Sequence, residues 1–425
     1  MVSALPLGVF RHPNFPAVFF RGNRDRLRAL IPSGSAAVVF AGEPTPTENA
    51  DALYPFELSR SYYYLTGLMQ PGGILWLYPE APLAELAEVL FIPQASAQHR
   101  LWEGWSYSLA EAAEVSGVPS VKPLSEWPTF WRRHLGLIQA LLLDFNEHER
   151  QTTGQLQTAA HRFARKVSQE HPGHPIGRLA PLLYRLRMKK SPEEIQRLRE
   201  AITITQAAYE HLLPCIRAGV SEYELEAEIL YVFTKARAVP AFASIVAGGE
   251  RACVLHYTFN SQPLKSGDLV LIDIGARYGW YAADLTRTLP VETVSPSKRR
   301  YLEWVADVQH HAQTLLRPGL SLHDWHTQVT TYIQEGLRAL GLLGRDEPLD
   351  AYKRYFPHGV GHFLGLDVHD VGYRYEPLEP GMVVTCEPGL YIPQEGVGIR
   401  IENDLLITDA GCENLSAALP DLLGL

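Results

Sequence analysis

Apolar runs of strand length alternate with amphipathic stretches through the first third of the chain. A-A-V-V-F-A (36–41), I-L-W-L-Y-P (74–79) and A-L-L-L-D-F (140–145) read as strands, whereas L-A-E-L-A-E (83–88) has a helical spacing. The aromatic run Y-Y-Y-L-T-G-L (62–68) reads as a further core strand. This alternation predicts an α/β domain over residues 1–175. Gly, His and Pro residues between Pro172 and Pro181 mark a linker. A long helix then opens at S-P-E-E-I, with Ser191 as N-cap, Pro192 at the first helical position and Glu194 completing a capping box. A second domain is expected over 181–425.

In that second domain the apolar pattern is carried by two hairpins. L-V-L-I-D-I (269–274) and Y-A-A-D-L-T-R-T (281–288) flank Arg277–Trp280, and a turn at Tyr278–Gly279 would set Asp273 directly opposite Asp284. Their Cβ atoms would then be roughly 4.5–5.5 Å apart. M-V-V-T-C-E-P-G-L-Y-I (382–392) and V-G-I-R-I-E-N-D-L-L-I (397–407) flank P-Q-E-G, and a four-residue loop there sets Glu387 opposite Glu402. A weak repeat accompanies them, since R-A-G-V-S-E (217–222) and R-P-G-L-S-L (317–322) align at an offset of 100 residues. Each copy predicts a helix end, a turn and a Ser-capped helix leading toward one acidic hairpin. A duplicated half-domain with its chemistry between the halves accounts for both features.

Like charges opposed across a sheet destabilise it, so two such pairs imply cations between them. Asp273 lies within an apolar run and needs a partner to remain charged there. His362, in H-G-V-G-H-F-L-G-L, adds a nitrogen ligand to the four carboxylates. This hard donor set suits Mn(II), Fe(II) or Co(II) and tolerates Zn(II). Arg400 shares strand parity with Glu402 and offsets the excess negative charge of two divalent ions, four carboxylates and a hydroxide.

Composition narrows the remaining classes. With 425 residues, 46% hydrophobic and 20% charged, the chain can build two substantial cores. A formal charge of −9 argues against nucleic-acid binding. No segment reads as a signal peptide or reaches membrane-spanning length. Cys215, Cys253, Cys386 and Cys412 lack C-x-x-C spacing and read as reduced thiols of a cytoplasmic protein, with Cys386 facing away from Glu387. No dinucleotide fingerprint, P-loop or G-x-S-x-G elbow is present.

H-Y-T (256–258), L-I-D-I-G-A (271–276), D-L-T-R-T (284–288), H-G-V-G-H-F-L-G-L-D-V-H-D-V-G (358–372), E-P-G-L-Y (387–391) and G-I-R-I-E (398–402) resemble, in order, the motifs of the metal-dependent Xaa-Pro peptidases with the pita-bread fold, the aminopeptidase P group among them. Residues 50–67 resemble, more loosely, the N-terminal domain of that group and of prolidase. The resemblance implies an N-terminal α/β domain for oligomerisation and cleft shaping, followed by a pseudo-twofold α+β pita-bread catalytic domain. It assigns Asp273, Asp284, His362, Glu387 and Glu402 to two divalent metals, most readily Mn(II), with Asp284 and Glu402 bridging.

The implied activity is hydrolysis of the bond between an N-terminal residue and a following proline by a hydroxide bridging the metals. Glu387 would carry the proton, while His256, His369 and Arg400 would support catalysis. His358 and Tyr257 would line the proline pocket, and Asp51 would reach the substrate. Peptides with proline second are the implied partners, and a homodimer or homotetramer the implied assembly. Prolidase, which cleaves Xaa-Pro dipeptides, is the nearest alternative; it needs a cation for the dipeptide carboxylate, and Arg374 lies in the short connection 371–379. A non-catalytic peptide-binding module is the more distant alternative.

Overall fold

The computed structural model describes residues 14–48, 53–102, 104, 106–145, 147, 157–348 and 350–422. The chain divides into two compact units, Met1–Leu186 and Arg187–Leu425.

The first unit is built on a six-stranded mixed sheet. Its strands are β1 (Ser35–Phe40), β2 (Ile74–Leu77), β3 (Glu88–Ile92), β4 (Ser120–Pro123), β5 (Ala140–Leu143) and β6 (Ile176–Arg178), in the order β4-β3-β2-β1-β5-β6. Strands β1, β2 and β5 coincide with the three apolar runs. Trp76, Phe91, Trp127, Phe130, Trp131 and Phe163 form an aromatic core against the sheet. Three local expectations are corrected. The tyrosine run forms a helix, Arg60–Thr66, capped by Ser59 and ended by Gly67, because a continuous buried aromatic run carries no period to separate helix from strand. L-A-E-L-A-E contains only a single 3₁₀ turn, Ala84–Leu86, because Glu88 already belongs to β3, where it pairs with buried Arg24 at 2.9 Å. The stretch 172–181, read as a linker, holds β6, which pairs with β5 in parallel.

In the second unit Ser191, Pro192 and Glu194 form the expected capping box at the start of a helix over Pro192–Leu212. The repeat is visible in backbone detail. Gly219 and Gly319 both adopt positive φ, 89° and 85°. Their amides donate to Leu264 and Leu378 carbonyls, each at 2.9 Å, and the amides of those leucines return to Val220 and Leu320. Ser221 and Ser321 then make bridges to Pro263 and Pro377, and helices Glu222–Lys235 and Leu322–Ala339 follow.

Each half supplies a three-stranded antiparallel sheet. One contains Ile245–Gly248, Leu269–Ile274 and Leu285–Pro290; the other contains Val383–Cys386, Asn403–Thr408 and Gly411–Asn414. Two helix pairs backing two antiparallel sheets make the pita-bread architecture that the resemblance implies. Cys386 does face away from Glu387, into the core, where its thiol donates to Gln309 Oε1 at 2.7 Å.

Candidate metal centre

The two acidic hairpins differ in how they meet their expected register. In the second, Tyr391 pairs with Gly398 and Ile392 with Val397 around the Pro393–Gly396 loop, while Cys386 pairs with Asn403. Glu387 and Glu402 are therefore in register, as expected. In the first, Tyr278 pairs with Tyr281, so the two-residue turn is Gly279–Trp280. Both turn residues have positive φ, 57° and 72°, the conformation that matches strand twist in a two-residue hairpin. Trp280 is held there with the Arg277 guanidinium 5.4 Å from its ring centroid. Asp273 consequently pairs with Thr286, not Asp284. Because the slip is two residues, parity is kept and both aspartates still face the same side. Gly275 permits the close approach that brings Asp284 in, since a Cβ there would lie 1.8 Å from the Ala283 carbonyl oxygen.

His362 reaches the same place by lying along a strand. The His362 carbonyl accepts from Thr385 N–H at 2.8 Å, the Val360 carbonyl accepts from Glu387 N–H at 2.8 Å, and Phe363 bridges to Val384. Gly361 allows this, as a Cβ there would fall 2.1 Å from the Thr385 carbonyl oxygen. His362 Nδ1 sits 2.9 Å from the Phe363 carbonyl, which can only accept, so Nδ1 carries the proton and Nε2 presents a lone pair. That Nε2 lies 3.4 Å from Asp284 Oδ2 and 3.7 Å from Glu387 Oε1. One ligand atom from each of Asp284, His362 and Glu402 lies within 4.8 Å of the others.

The charges are arranged for a cation. Burial pushes the Asp284 and Glu402 carboxyls well up; repulsion from Asp273, Asp404 and Glu387 adds to it at Asp284, and from Asp284, Glu387 and Asp273 at Glu402, against Arg400. Burial also raises Glu387, opposed by His362 and Arg400. Asp273 Oδ1 is buried without a hydrogen-bond partner. Unpaired oxygen, mutual repulsion and an imidazole lone pair in one place fit divalent metal ions. Thr286 orients the ligands by donating its hydroxyl to Glu402 Oε2 at 2.7 Å.

The other expected site residues take distinct positions. Arg400 donates to Asp273 Oδ2 at 2.5 Å, to Tyr391 Oη at 3.0 Å and to Thr286 Oγ1 at 3.1 Å. His358 Nδ1 is 2.8 Å from the Gly359 carbonyl and Nε2 is 2.8 Å from Tyr391 Oη. Since Tyr391 accepts from Arg400, it donates to His358, which burial and Arg400 hold neutral by lowering its pKa to about 3. The His369 ring is exposed, its centroid 4.2 Å from that of His362. His256 is exposed in the same unit, whereas the neighbouring Tyr257 hydroxyl turns inward to Glu222. Arg374 is exposed, its guanidinium 5.7 Å from the Tyr375 ring centroid. Asp51 lies outside the described residues.

Three residues escaped the sequence reading. Thr286 is one. Asp404 is fully buried and accepts the Asp284 N–H at 3.2 Å; its strand parity with Glu402 was the available signal. Asp370 sits between buried Arg187 (2.6 Å) and Lys190 (3.1 Å), fastening the segment that carries His362 and His369. Burial alone would raise the Asp370 carboxyl, but the two cations outweigh it and hold it below the usual range.

Comparison with known proteins adds independent findings. A family model described as metallopeptidase family M24 matches residues 196–409, and one described as the aminopeptidase P N-terminal domain matches 20–139. The chain is 35% identical over 423 residues to an Xaa-Pro aminopeptidase of Haemophilus influenzae, covering 95% of both chains. It is also 35% identical over 421 residues to that of Escherichia coli K12, covering 94% of both. A solved structure of E. coli aminopeptidase P in a low-pH form superposes with a TM-score of 0.86 at 33% identity, over 96% of this chain and 97% of that one.

Proposed function

This chain belongs to metallopeptidase family M24, and from that premise and its carboxylate–imidazole centre we propose that it is a metallo-aminopeptidase that releases an N-terminal residue from a following proline. The observation that carries the reading is the convergence of Asp284, His362 Nε2 and Glu402 beside the unpartnered oxygen of Asp273. Asp273, Asp284, His362, Glu387 and Glu402 would hold two divalent ions. Mn(II) is the ion we favour for this hard donor set. When bound, such ions supply a water of near-neutral pKa as nucleophile and polarise the scissile carbonyl.

The chain's own groups then divide the work. Glu387 takes the proton of the attacking water and delivers it to the leaving proline nitrogen. That nitrogen carries no hydrogen in the peptide, so it cannot be held by the N–H contact that other peptides offer. His256 and His369 donate to the oxygen of the breaking carbonyl, an interaction that strengthens as its charge develops. Arg400 holds Asp273 in place and balances charge. His358 and Tyr257 border the proline pocket, His358 as a neutral ring fixed by Tyr391.

The exposed Arg374 lies over the Tyr375 ring, and the connection around it is short, which favours longer peptides over the dipeptides of a prolidase. We assign oligomerisation, as a homodimer or homotetramer, to the N-terminal domain. Four unpaired cysteines are in keeping with a reducing, cytoplasmic setting. No helix among the described residues is long and apolar enough to cross a membrane. Chelator-stripped protein should lose turnover of an Xaa-Pro-Xaa tripeptide and regain it with Mn(II); metal-reloaded protein with no turnover contradicts the proposal.

A further inference from the structure

Glu222 opens the helix Glu222–Lys235 and is fully buried, far in sequence from every residue of the metal centre. Its carboxylate accepts four hydrogen bonds. Oε1 accepts from Gly248 N–H at 2.9 Å and Arg251 Nε–H at 2.7 Å. Oε2 accepts from the Tyr257 hydroxyl and Gln262 N–H, both at 2.9 Å. The donors span 248–262, the segment that presents His256. A second buried side chain fastens the same segment, Asn260, which donates to the Ser244 carbonyl at 2.9 Å and accepts from Val246 N–H at 3.0 Å. The stretch from Val254 to Phe259, with Val254, His256, Thr258 and Phe259 exposed, is thus held from beneath by polar anchors.

The internal repeat shows that the helix start does not itself need a carboxylate. At the offset of 100 residues the matching position is Leu322, buried at 6% exposure in the apolar core of the second half. A buried carboxylate is costly unless several donors meet it, and the leucine fills the equivalent place without that cost.

We propose that Glu222 is a positioning residue that sets His256 against the substrate, acting through Tyr257, Arg251 and the backbone of 248–262. This rests on the reading that His256 faces the substrate. Displacement of such a group by about 1 Å lowers turnover up to about a hundredfold. Glu222→Gln keeps the shape but places an amide where two donors point. It should retain folding and metal content, measured by thermal melt and elemental analysis, while kcat/KM on an Xaa-Pro-Xaa tripeptide falls between about tenfold and a hundredfold.

The deciding readout is the same substitution in a His256→Ala background, where it should change kcat/KM by less than about twofold, because its target is gone. An equal loss in both backgrounds, or unchanged kinetics for Glu222→Gln beside an impaired His256→Ala, overturns the proposal alone. Wild-type kinetics for His256→Ala would overturn the substrate role of His256 and this proposal with it. If Glu222→Gln does not fold, Tyr257→Phe removes one of the four links; a several-fold loss that vanishes in the His256→Ala background supports the proposal, and a loss that persists there overturns it.

Discussion

Arg400 lies 2.5 Å from Asp273, joining a guanidinium of the second half-domain to a carboxylate of the first. Its charge also opposes the burial of Asp284, Glu387 and Glu402, and it reaches Tyr391 and Thr286 with its remaining donors. Through Tyr391 it also sets the tautomer of His358. One side chain therefore couples the ligand field to the ring beside the proposed proline pocket.

Arg400→Lys keeps the charge but loses the fixed fork that serves three acceptors. Turnover of an Xaa-Pro-Xaa tripeptide should fall by about tenfold to a hundredfold, with folding retained. Steady-state kinetics on metal-saturated protein checks this, and unchanged kcat would remove Arg400 from the site.

Glu387→Ala removes both a ligand and the proposed proton carrier. A loss of at least about a thousandfold in kcat is expected, with the circular dichroism spectrum of the native protein. Retained turnover would exclude Glu387 as the carrier.

Metal binding should release protons. In the metal-free protein burial and mutual repulsion raise the Asp284 and Glu402 carboxyls, so they keep protons at pH values where free carboxyls are ionised. The contribution of these two carboxyls to the stability of the metal-free form is therefore fully present below the unfolded carboxyl pKa and is lost as pH rises through the raised folded values. A bound cation displaces those protons, so Mn(II) affinity should weaken as pH falls. Calorimetry in buffers of differing ionisation enthalpy counts the protons released; none released in mildly acidic buffer would contradict the electrostatic account.

Asp370→Asn leaves Lys190 buried without its carboxylate and Arg187 with only the more exposed Asp367. The loss should be about 3–5 kcal/mol near neutrality. Because the Asp370 carboxyl is depressed in the folded protein, its contribution is present above the unfolded carboxyl value and disappears as pH falls through the folded one. Denaturant unfolding should therefore show wild type and variant converging in acid, and equal stability at neutral pH would count against the ion cluster.

The second hairpin is legible because Pro393–Gly396 punctuates it and one register runs through both of its strand pairs, from Ile392 with Val397 to Cys386 with Asn403. The first differs from its expected register by two residues, since the turn is Gly279–Trp280 and a tryptophan at positive φ carries no signal in its residue type. An even slip keeps parity, which is why both aspartates were still assigned to one face. The repeat was faint as letters because only its turn residues coincide, whereas the hydrogen bonds from Gly219 and Gly319 match closely. What escaped were partners joined across long sequence distances: Asp370 is 183 residues from Arg187, and Glu222 is 35 from Tyr257. Nothing local to either acid reveals its partners.

The bond that is cut separates an Xaa-Pro aminopeptidase from its alternatives. Mn(II)-loaded protein should be given three peptides at matched saturating concentration: an Xaa-Pro-Xaa tripeptide, the same tripeptide with alanine second, and the Xaa-Pro dipeptide. Release of the first residue should be fastest from the proline tripeptide and slow from both others. Preference for the dipeptide would indicate a prolidase, and equal cleavage of the alanine peptide would contradict recognition of proline.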